Sequence, residues 1–497
     1  MKLRKYIELF LIAGILGCMT SCNDWLDVRP ESEVGEDQMF STEQGYMDAL
    51  YGVYVSMGEK NLYGGEMPLA MDLLMQSFDV PYSSSFENFK TFEYQSPECA
   101  EVLNTIWERL YYCVSLTNNI LKHLEEETPE TLGSYNYLKG ECLGLRAFLH
   151  YDLLRMFAPN VKAQPDYMSI PYRKDYSNMI DPQLKVSEVF EHIIADLEMA
   201  KEILADDIVK TNAPEWLGND KKEVESGDVN ANNESHYMSS FLSDRKYRMN
   251  YYAVVATLAR VYLDRSAEGD REKAYDYAME VINSGKYRMV ERDNFIVTSE
   301  NIKKRDALFT DEFIFGLFST KVDATYAKYC FPGEIVNRFR VVDPLEMIFD
   351  SKAEDYRFMM VERDIASDDM LLKKHYEEYE NSKQKIRMLT LPEMYYIVSE
   401  VKPEQAYSFL DSVAQHRGIT CALSKQDSKE DVMVEIMKEY RKEYLGDGQF
   451  FFAYKRLCQE SFWNKFPQQF RKDNKFLVFP LPESEIEYGD RVSEIWK

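Results

Sequence analysis

The chain is predicted to be mainly α, with a tetratricopeptide-like helical-repeat body, long irregular loops and a few short strands. Three observations carry that expectation. Apolar residues recur at i, i+3 and i+4 through most of the 497 residues. In the clearest helical pair, small alanines alternate with large apolar residues, as closely packed helices require. The stretches between such patterns are long and either polar or rich in aromatics, with no helical period.

In chain order, helices are expected over 44–57, 102–124, 135–157, 186–204, 392–400, 403–416 and 432–445. The pair within 251–290 is the clearest. Tyr251, Val254, Val255, Leu258 and Tyr262 form one stripe, with Ala253, Ala256 and Ala259 between them. Gly269 breaks the pattern, and Ala274, Tyr277, Ala278, Val281 and Ile282 form a second stripe. Helices that bury their faces only by stacking give a solenoid-like bundle. Residues 219–235 are nearly free of apolar side chains and read as a mobile loop, and 294–360 lacks helical regularity. Short strands are expected at 312–318 and 476–481, and the long connections are where function usually lies.

The N-terminus has its own logic. Lys2, Arg4 and Lys5 precede nine apolar or glycine residues, Leu9 to Gly17, and small or polar residues follow. Nine residues are too few to span a bilayer, and the order of charge, apolar core and small residues is that of a secretory signal. In bacterial lipoproteins the cut precedes a cysteine that becomes the lipid-bearing first residue. Cys22 follows Met19-Thr20-Ser21 and Cys18 follows Ile15-Leu16-Gly17. Bulky Leu16 beside the cut disfavours Cys18, so Cys22 is the expected attachment point and Cys18 the alternative.

Composition excludes several functions. Acids outnumber bases 85 to 59, a net charge of −26, and such a field repels phosphate backbones, so nucleic acid is not an expected partner. No segment after the N-terminus is apolar and long enough to span a membrane. The eight cysteines are scattered without a CxxC pair, which is neither a disulfide scaffold nor a zinc site. The six histidines include no HExxH, and GxSxG, Walker and GxGxxG motifs are absent. Cys142 and His150 fall on one apolar-rich helix and are expected to pack there. With so many acids, a glycosidase carboxylate pair is not legible. No catalytic set, metal site or cofactor is expected.

Several stretches together resemble one family. NDWLDVRPESEV after Cys22, with FSTEQGYMDALYGVY, resembles the start of a mature SusD/RagB-type outer-membrane nutrient-binding lipoprotein. GECLGLRAFLHYDLLRMFA, from Gly140 to Ala158, is similar to that family's GEAxFLRAxxYFxLVRxFG helix. VFEHIIADLEMAKEIL resembles its next helix at Ile193, Asp196, Leu197 and Ala200. IRMLTLPEMYYIVSE, EYRKEYLGDGQFFFAYKR and FPLPESEIEYG are similar to its C-terminal stretches. Asp447 stands where the family usually has Glu, Phe450 where a basic residue is common, and Ala453 where Asp is common. The resemblance runs from residue 22 to about 489. It implies a signal peptide over 1–21 and a SusD-like domain over 22–497, with an N-terminal part over about 22–210 and a C-terminal part over about 250–497.

The resemblance further implies a non-enzymatic protein on the outer membrane, lipid-anchored and facing the cell exterior. It would bind a glycan or oligosaccharide and deliver it to a SusC-like TonB-dependent transporter. A peptide is the alternative cargo, and a secreted glycoside hydrolase or a helical scaffold for other proteins are rival readings. A sugar ring stacks its C–H face on an aromatic side chain while acids, amides or guanidiniums take its hydroxyls. The 35 Tyr, 28 Phe and 5 Trp are mostly core, but two loops stand out. FDVPYSSSFENFKTFEY offers Asp79 and Tyr82. FSTKVDATYAKYCFPG offers Asp323, Tyr326 and Tyr329, with at least one ring expected to face solvent. Relatives tend to border the ligand face with these two regions. Loop-anchoring aromatics are the competing explanation, and Trp216 is a weaker third candidate.

Overall fold

The computed structural model describes residues 35–496 except 83, 85, 212–240, 244, 331–337, 377, 421–427, 459 and 465–472. The signal segment, Cys18, Cys22, Trp216 and the polar 219–235 stretch lie outside the described residues.

Helices dominate: α1 (Glu43–Met57), α2 (Glu66–Leu74), α3 (Pro97–His123), α4 (Tyr135–Phe157), α5 (Val186–Ile203), α6 (Tyr251–Arg265) and α7 (Asp270–Asn283) in the first part. These are followed by α8 (Val322–Cys330), α9 (Leu391–Val401), α10 (Ala406–Gln415), α11 (Lys429–Glu443) and α12 (Gln449–Leu457). Successive helices pack as pairs, α3 on α4, α4 on α5, α6 on α7 and α9 on α10, with α7 also against α9. This is the stacked-hairpin body the periodicity predicts. Local chemistry sets the ends. Asn250 caps α6, its side chain accepting from the Ala253 amide at 3.0 Å. Gly269, at φ +80°, supplies the left-handed residue before α7 that other residues adopt at a cost. Ser428 and Asp431 close α11 with reciprocal bonds.

The central helix α4 is buried from Gly140 to Phe157, and its glycines explain how. A Cβ on Gly140 would lie 2.5 Å from Leu204, and one on Gly144 would lie 2.7 Å from Met249 and 3.2 Å from Val254. Only a bare Cα lets these neighbours approach so closely.

Among the described residues three two-stranded antiparallel sheets lie in the connections: β1 (Phe78–Asp79) with β3 (Arg340–Val341), β2 (Phe313–Phe318) with β6 (Lys385–Thr390), and β4 (Val361–Arg363) with β5 (Met370–Leu372). The expected strand at 312–318 is β2. The expected strand at 476–481 is not a strand. Its apolar residues form the end of a single helical turn, Asn474–Leu477, and an extended piece in which Phe479 donates its amide to Met156 and stacks on Phe451. A short apolar run looks the same whether it pairs as a strand or packs as irregular backbone.

Many of the buried charged side chains are paired. Glu141 on α4 accepts from Arg245 and Arg248 and from the Tyr54 hydroxyl. Arg260 on α6 makes a two-pronged pair with Glu393 on α9, and Arg456 on α12 does the same with Glu400. Glu443 receives Arg357, Arg387 and Arg417. Unpaired, each charge would be prohibitive in the interior. Among the described residues no helix is long and apolar enough to cross a membrane.

Candidate functional site

Two of the proposed regions adjoin in space but present their aromatics in opposite ways. β1 pairs with β3 in the register Phe78↔Val341 and Asp79↔Arg340. The chain then turns at Pro81, where the Ser84 amide donates to the Pro81 carbonyl at 2.8 Å and the Ser84 hydroxyl accepts from Phe86. Phe86 is driven inward, edge-on to Tyr329 and Phe339 with ring centroids 5.5 and 5.2 Å away, and Phe78 packs on the same Phe339. With this aromatic floor holding the turn, Tyr82 at its tip projects outward, 92% exposed.

Beside the turn lies a polar ridge. The half-exposed Asp79 carboxylate receives Lys90 Nζ at 2.6 Å and Arg340 Nη2 at 2.6 Å. Arg340 also approaches Asp369 at 3.7 Å. Asp369 and Asp364 both pair with buried Arg338, at 3.2 and 3.1 Å, and Ser367 accepts from the same guanidinium at 2.9 Å. These acids sit on the turn joining β4 to β5, whose Ile365 is 99% exposed. The ridge can therefore offer carboxylate acceptors and guanidinium donors held in fixed orientation by one another, next to an open aromatic ring.

The second region needs correction. It is not an irregular loop: 322–330 is helix α8, and Val322, Tyr326, Tyr329 and Cys330 form its inward stripe. Neither tyrosine ring faces solvent. Tyr326 is 2% exposed, donates its hydroxyl to the Gly446 carbonyl at 2.5 Å and lies on His375 with centroids 4.1 Å apart. Tyr329 is also buried and donates to Glu66 at 2.9 Å. Burial pushes the Tyr326 phenol well above its ordinary range. Asp323 is buried too, accepting from the Gln384 amide at 3.0 Å. The i, i+4, i+7, i+8 spacing of that stripe was available in the sequence, but the nearby Pro332 and Gly333 pointed to a loop. Arg338, Arg340 and Asp369 were not identified from sequence, because only the folding of distant segments brings them near Asp79, and Lys90, though in the same stretch, carried no mark of its pairing.

Cys142 and His150 pack in the core as expected. The Arg173 amide donates to His150 Nε2 at 3.0 Å, so Nδ1 carries the proton given to the Arg146 carbonyl at 2.8 Å. Burial lowers this imidazole to about 3 and raises the Cys142 thiol. Cys99, Cys113, Cys142 and Cys330 are buried free thiols. Among the described residues no cluster of His, Cys, Asp or Glu is arranged to hold a metal ion.

Comparison with known proteins places this architecture. Residues 24–216 match the family described as SusD-like, starch-binding and associating with the outer membrane. SusD-like protein P2 of Formosa agariphila is 24% identical over 207 residues, 41% of this chain and 39% of that protein. A SusD-like protein of Bacteroides ovatus is 21% identical over 320 residues, 62% of this chain and 50% of its own length. These alignments thus span half or less of the curated relatives. The solved structures extend further. A SusD superfamily protein of Bacteroides vulgatus superposes with a TM-score of 0.66 at 19% identity, covering 91% of this chain and 98% of the other. A SusD-like carbohydrate binding protein of the same organism superposes with a TM-score of 0.64 at 20% identity, with the same coverage. The N-terminal part is thus similar in sequence to SusD-like proteins, and the helical body shares the fold of the solved SusD superfamily structures.

Proposed function

We propose that this protein is a surface lipoprotein, anchored through Cys22, that binds a glycan or oligosaccharide at the Tyr82 face and delivers it to a partner TonB-dependent transporter. One observation carries the reading: a fully open tyrosine on an anchored turn, beside the half-exposed Asp79–Lys90–Arg340 cluster. An aromatic plane flanked by fixed charged donors and acceptors suits a sugar ring with its apolar face and hydroxyl edge. The family match and the carbohydrate-binding description of a solved relative support the same ligand class. Binding without bond cleavage fits a site whose carboxylates are held in ion pairs.

The test is calorimetric titration of lipid-free Cys22→Ala protein against a panel of oligosaccharides and peptides, with product analysis alongside. Glycan binding without cleavage supports the reading. Binding of peptides alone would change the cargo, and released sugars would make the protein a hydrolase.

A further inference from the structure

Away from the Tyr82 face, a cleft opens where α4, α6, α9 and α12 meet. It consists of two adjoining small hollows that share Arg155, Asp264, Phe452 and Arg456. Arg155 lies in it with its guanidinium carbon 3.8 Å from the centre of the Phe452 ring and 4.5 Å from that of Tyr151. Its Nη2 donates to Asp152, yet its Nε, on a residue 8% exposed, has no hydrogen-bond partner among the described residues. Arg260, 6% exposed, engages Glu393 through Nε and Nη2, at 2.6 Å each, and its Nη1 is likewise without a partner.

Two buried N–H donors on guanidiniums therefore border one space. Neither group can shed its proton, and a buried donor left unmade is costly. Of the acids nearby, Glu393 is held by Arg260, and Asp264 accepts from the Tyr151 hydroxyl at 2.8 Å. Lys455 and Arg456 also line the space, but Arg456 is held by Glu400 and Lys455 donates to the Arg155 carbonyl, so the two guanidinium donors are what it offers. A single water could meet one donor, but it brings protons of its own that find few acceptors here. A carboxylate brings two acceptor oxygens, no donor and a negative charge, and charged hydrogen bonds to guanidinium are the strong kind.

We propose that this cleft binds a small aliphatic carboxylate, its oxygens accepting from Arg155 Nε and Arg260 Nη1 and its carbon chain lying against Phe452. The site is separate from the glycan face and does not depend on that reading.

The experiment titrates the full mature chain, as Cys22→Ala protein, with acetate and propionate by calorimetry and thermal melting, with chloride at matched ionic strength as control. Carboxylates should raise the melting temperature where chloride does not. Arg155→Lys and Arg260→Lys keep the charge but remove the unpartnered donors, and each should weaken binding about tenfold or more, the scale of one charge-assisted hydrogen bond. Tyr82→Ala should leave carboxylate binding unchanged while lowering glycan affinity, which separates the two sites. For the unaltered protein, a crystal grown with 3-bromopropionate should show the bromine's anomalous signal beside Phe452. No carboxylate effect beyond chloride, unchanged affinity in both arginine variants, or bromine located only elsewhere would each overturn the proposal.

Discussion

Arg146 on α4 and Asp196 on α5 form a two-pronged ion pair, Nε to Oδ2 at 2.7 Å and Nη2 to Oδ1 at 2.9 Å, almost wholly removed from solvent. The pair is completed by its surroundings: the Tyr172 hydroxyl donates to Asp196 at 2.5 Å, and Arg146 Nη1 donates to Asn118 and to the Lys174 carbonyl. It ties the central helix to the next hairpin and to the extended segment that crosses both.

Removing one partner of such a pair leaves the other charged and buried, at a cost of about 3–5 kcal/mol. Asp196→Ala should therefore lower unfolding free energy by about that amount. The double variant Arg146→Met with Asp196→Leu should recover most of the loss, because no orphaned charge remains. Denaturant unfolding of the three proteins measures both. A double variant as unstable as Asp196→Ala would mean that the pair itself, and not the orphaned charge, sets the cost.

This pair also explains how much of the fold was legible. Arg146 belongs to GECLGLRAFLH and Asp196 to the I-x-x-D-L stretch, and both motifs are recognisable because their charged residues close buried pairs that define the architecture. The same holds for Glu141, Glu393, Glu400, Glu439 and Glu443, each in an ion pair in the structure. Asp447 stands where Glu is usual in the family and still reaches Lys374, at 2.6 Å, and Arg387. Helix periods were visible for the same reason: burial of one face writes itself into local spacing. The candidate ligand face was half legible. Tyr82 was readable as a polar-turn aromatic, but Asp79 meets Arg340 across 261 residues, and local pattern carries no information about such a partner. Tyr326 and Tyr329 were misplaced because an aromatic in a short helix and one in a loop leave similar marks.

Acid should destabilise the protein in two stages. Burial lowers His150 and His375 each to about 3. The unfolded chain takes up these protons below about pH 6.5, the ordinary imidazole value, while the folded chain refuses them down to about 3. Stability is thus lost as pH falls through that window, by up to about 1.4 kcal/mol per pH unit for each histidine. Asp72 acts oppositely. Burial raises it to about 8, so its contribution is present at low pH and lost as pH rises from about 4 toward 8. At the acid end, burial would raise Glu439 and Glu443, but facing cations outweigh it, Arg357 foremost for Glu439 and Arg417 for Glu443, holding Glu439 at about 2 and Glu443 low as well. Their stabilisation is present above about pH 4.3 and lost as pH falls toward 2. Unfolding free energy measured between pH 3 and 8 should decline below about 6.5 and steepen below about 4. His150→Gln should reduce the slope between about pH 4 and 6 by close to one proton. An unchanged slope would assign the acid sensitivity elsewhere.

The central helix should resist any enlargement of its glycines. A methyl on Gly144 would press on the flexible Met249 and the β-branched Val254, and one on Gly140 on Leu204. Gly140→Ala and Gly144→Ala should each cost about 1–3 kcal/mol by overpacking, despite alanine's better helix propensity. Thermal melts check this. A stabilised variant would show that Leu204 or Met249 swings aside freely.

Membrane attachment is the expected consequence of the N-terminal cysteine. Cys22→Ala should shift the protein from the membrane to the soluble fraction, and Cys18→Ala should leave it bound. Swapped outcomes would move the lipid to Cys18, and no shift in either would remove the lipid anchor. With the anchor intact, mild detergent should co-purify a TonB-dependent barrel. Its consistent absence, with the barrel present in the same membranes, would argue against the delivery role.

The tyrosines give the sharpest contrast, because three residues first grouped as binding candidates now separate by environment. Tyr82 stands clear of the protein, so its truncation should leave the melting temperature within error, as surface changes usually do. If its ring stacks on ligand, affinity should fall about ten- to a hundredfold, which corresponds to about 1–3 kcal/mol of aromatic contact. Tyr326 should behave in the opposite way. Its ring fills space against His375 beneath Gly446, so Tyr326→Ala should cost about 3–5 kcal/mol, the usual price of emptying an aromatic site in a core. Tyr326→Phe keeps the packing and loses only the hydroxyl, leaving the Gly446 carbonyl without that donor, for about 1–3 kcal/mol. Tyr329→Ala should resemble Tyr326→Ala and release the Glu66 carboxylate as well. Titration and melting of Tyr82→Ala, Tyr326→Phe, Tyr326→Ala and Tyr329→Ala, run on one preparation, separate binding from stability. Lost affinity at full stability in Tyr82→Ala alone fits the structure, whereas lost affinity at full stability in Tyr326→Phe would mean that ligand reaches the interior beside α8.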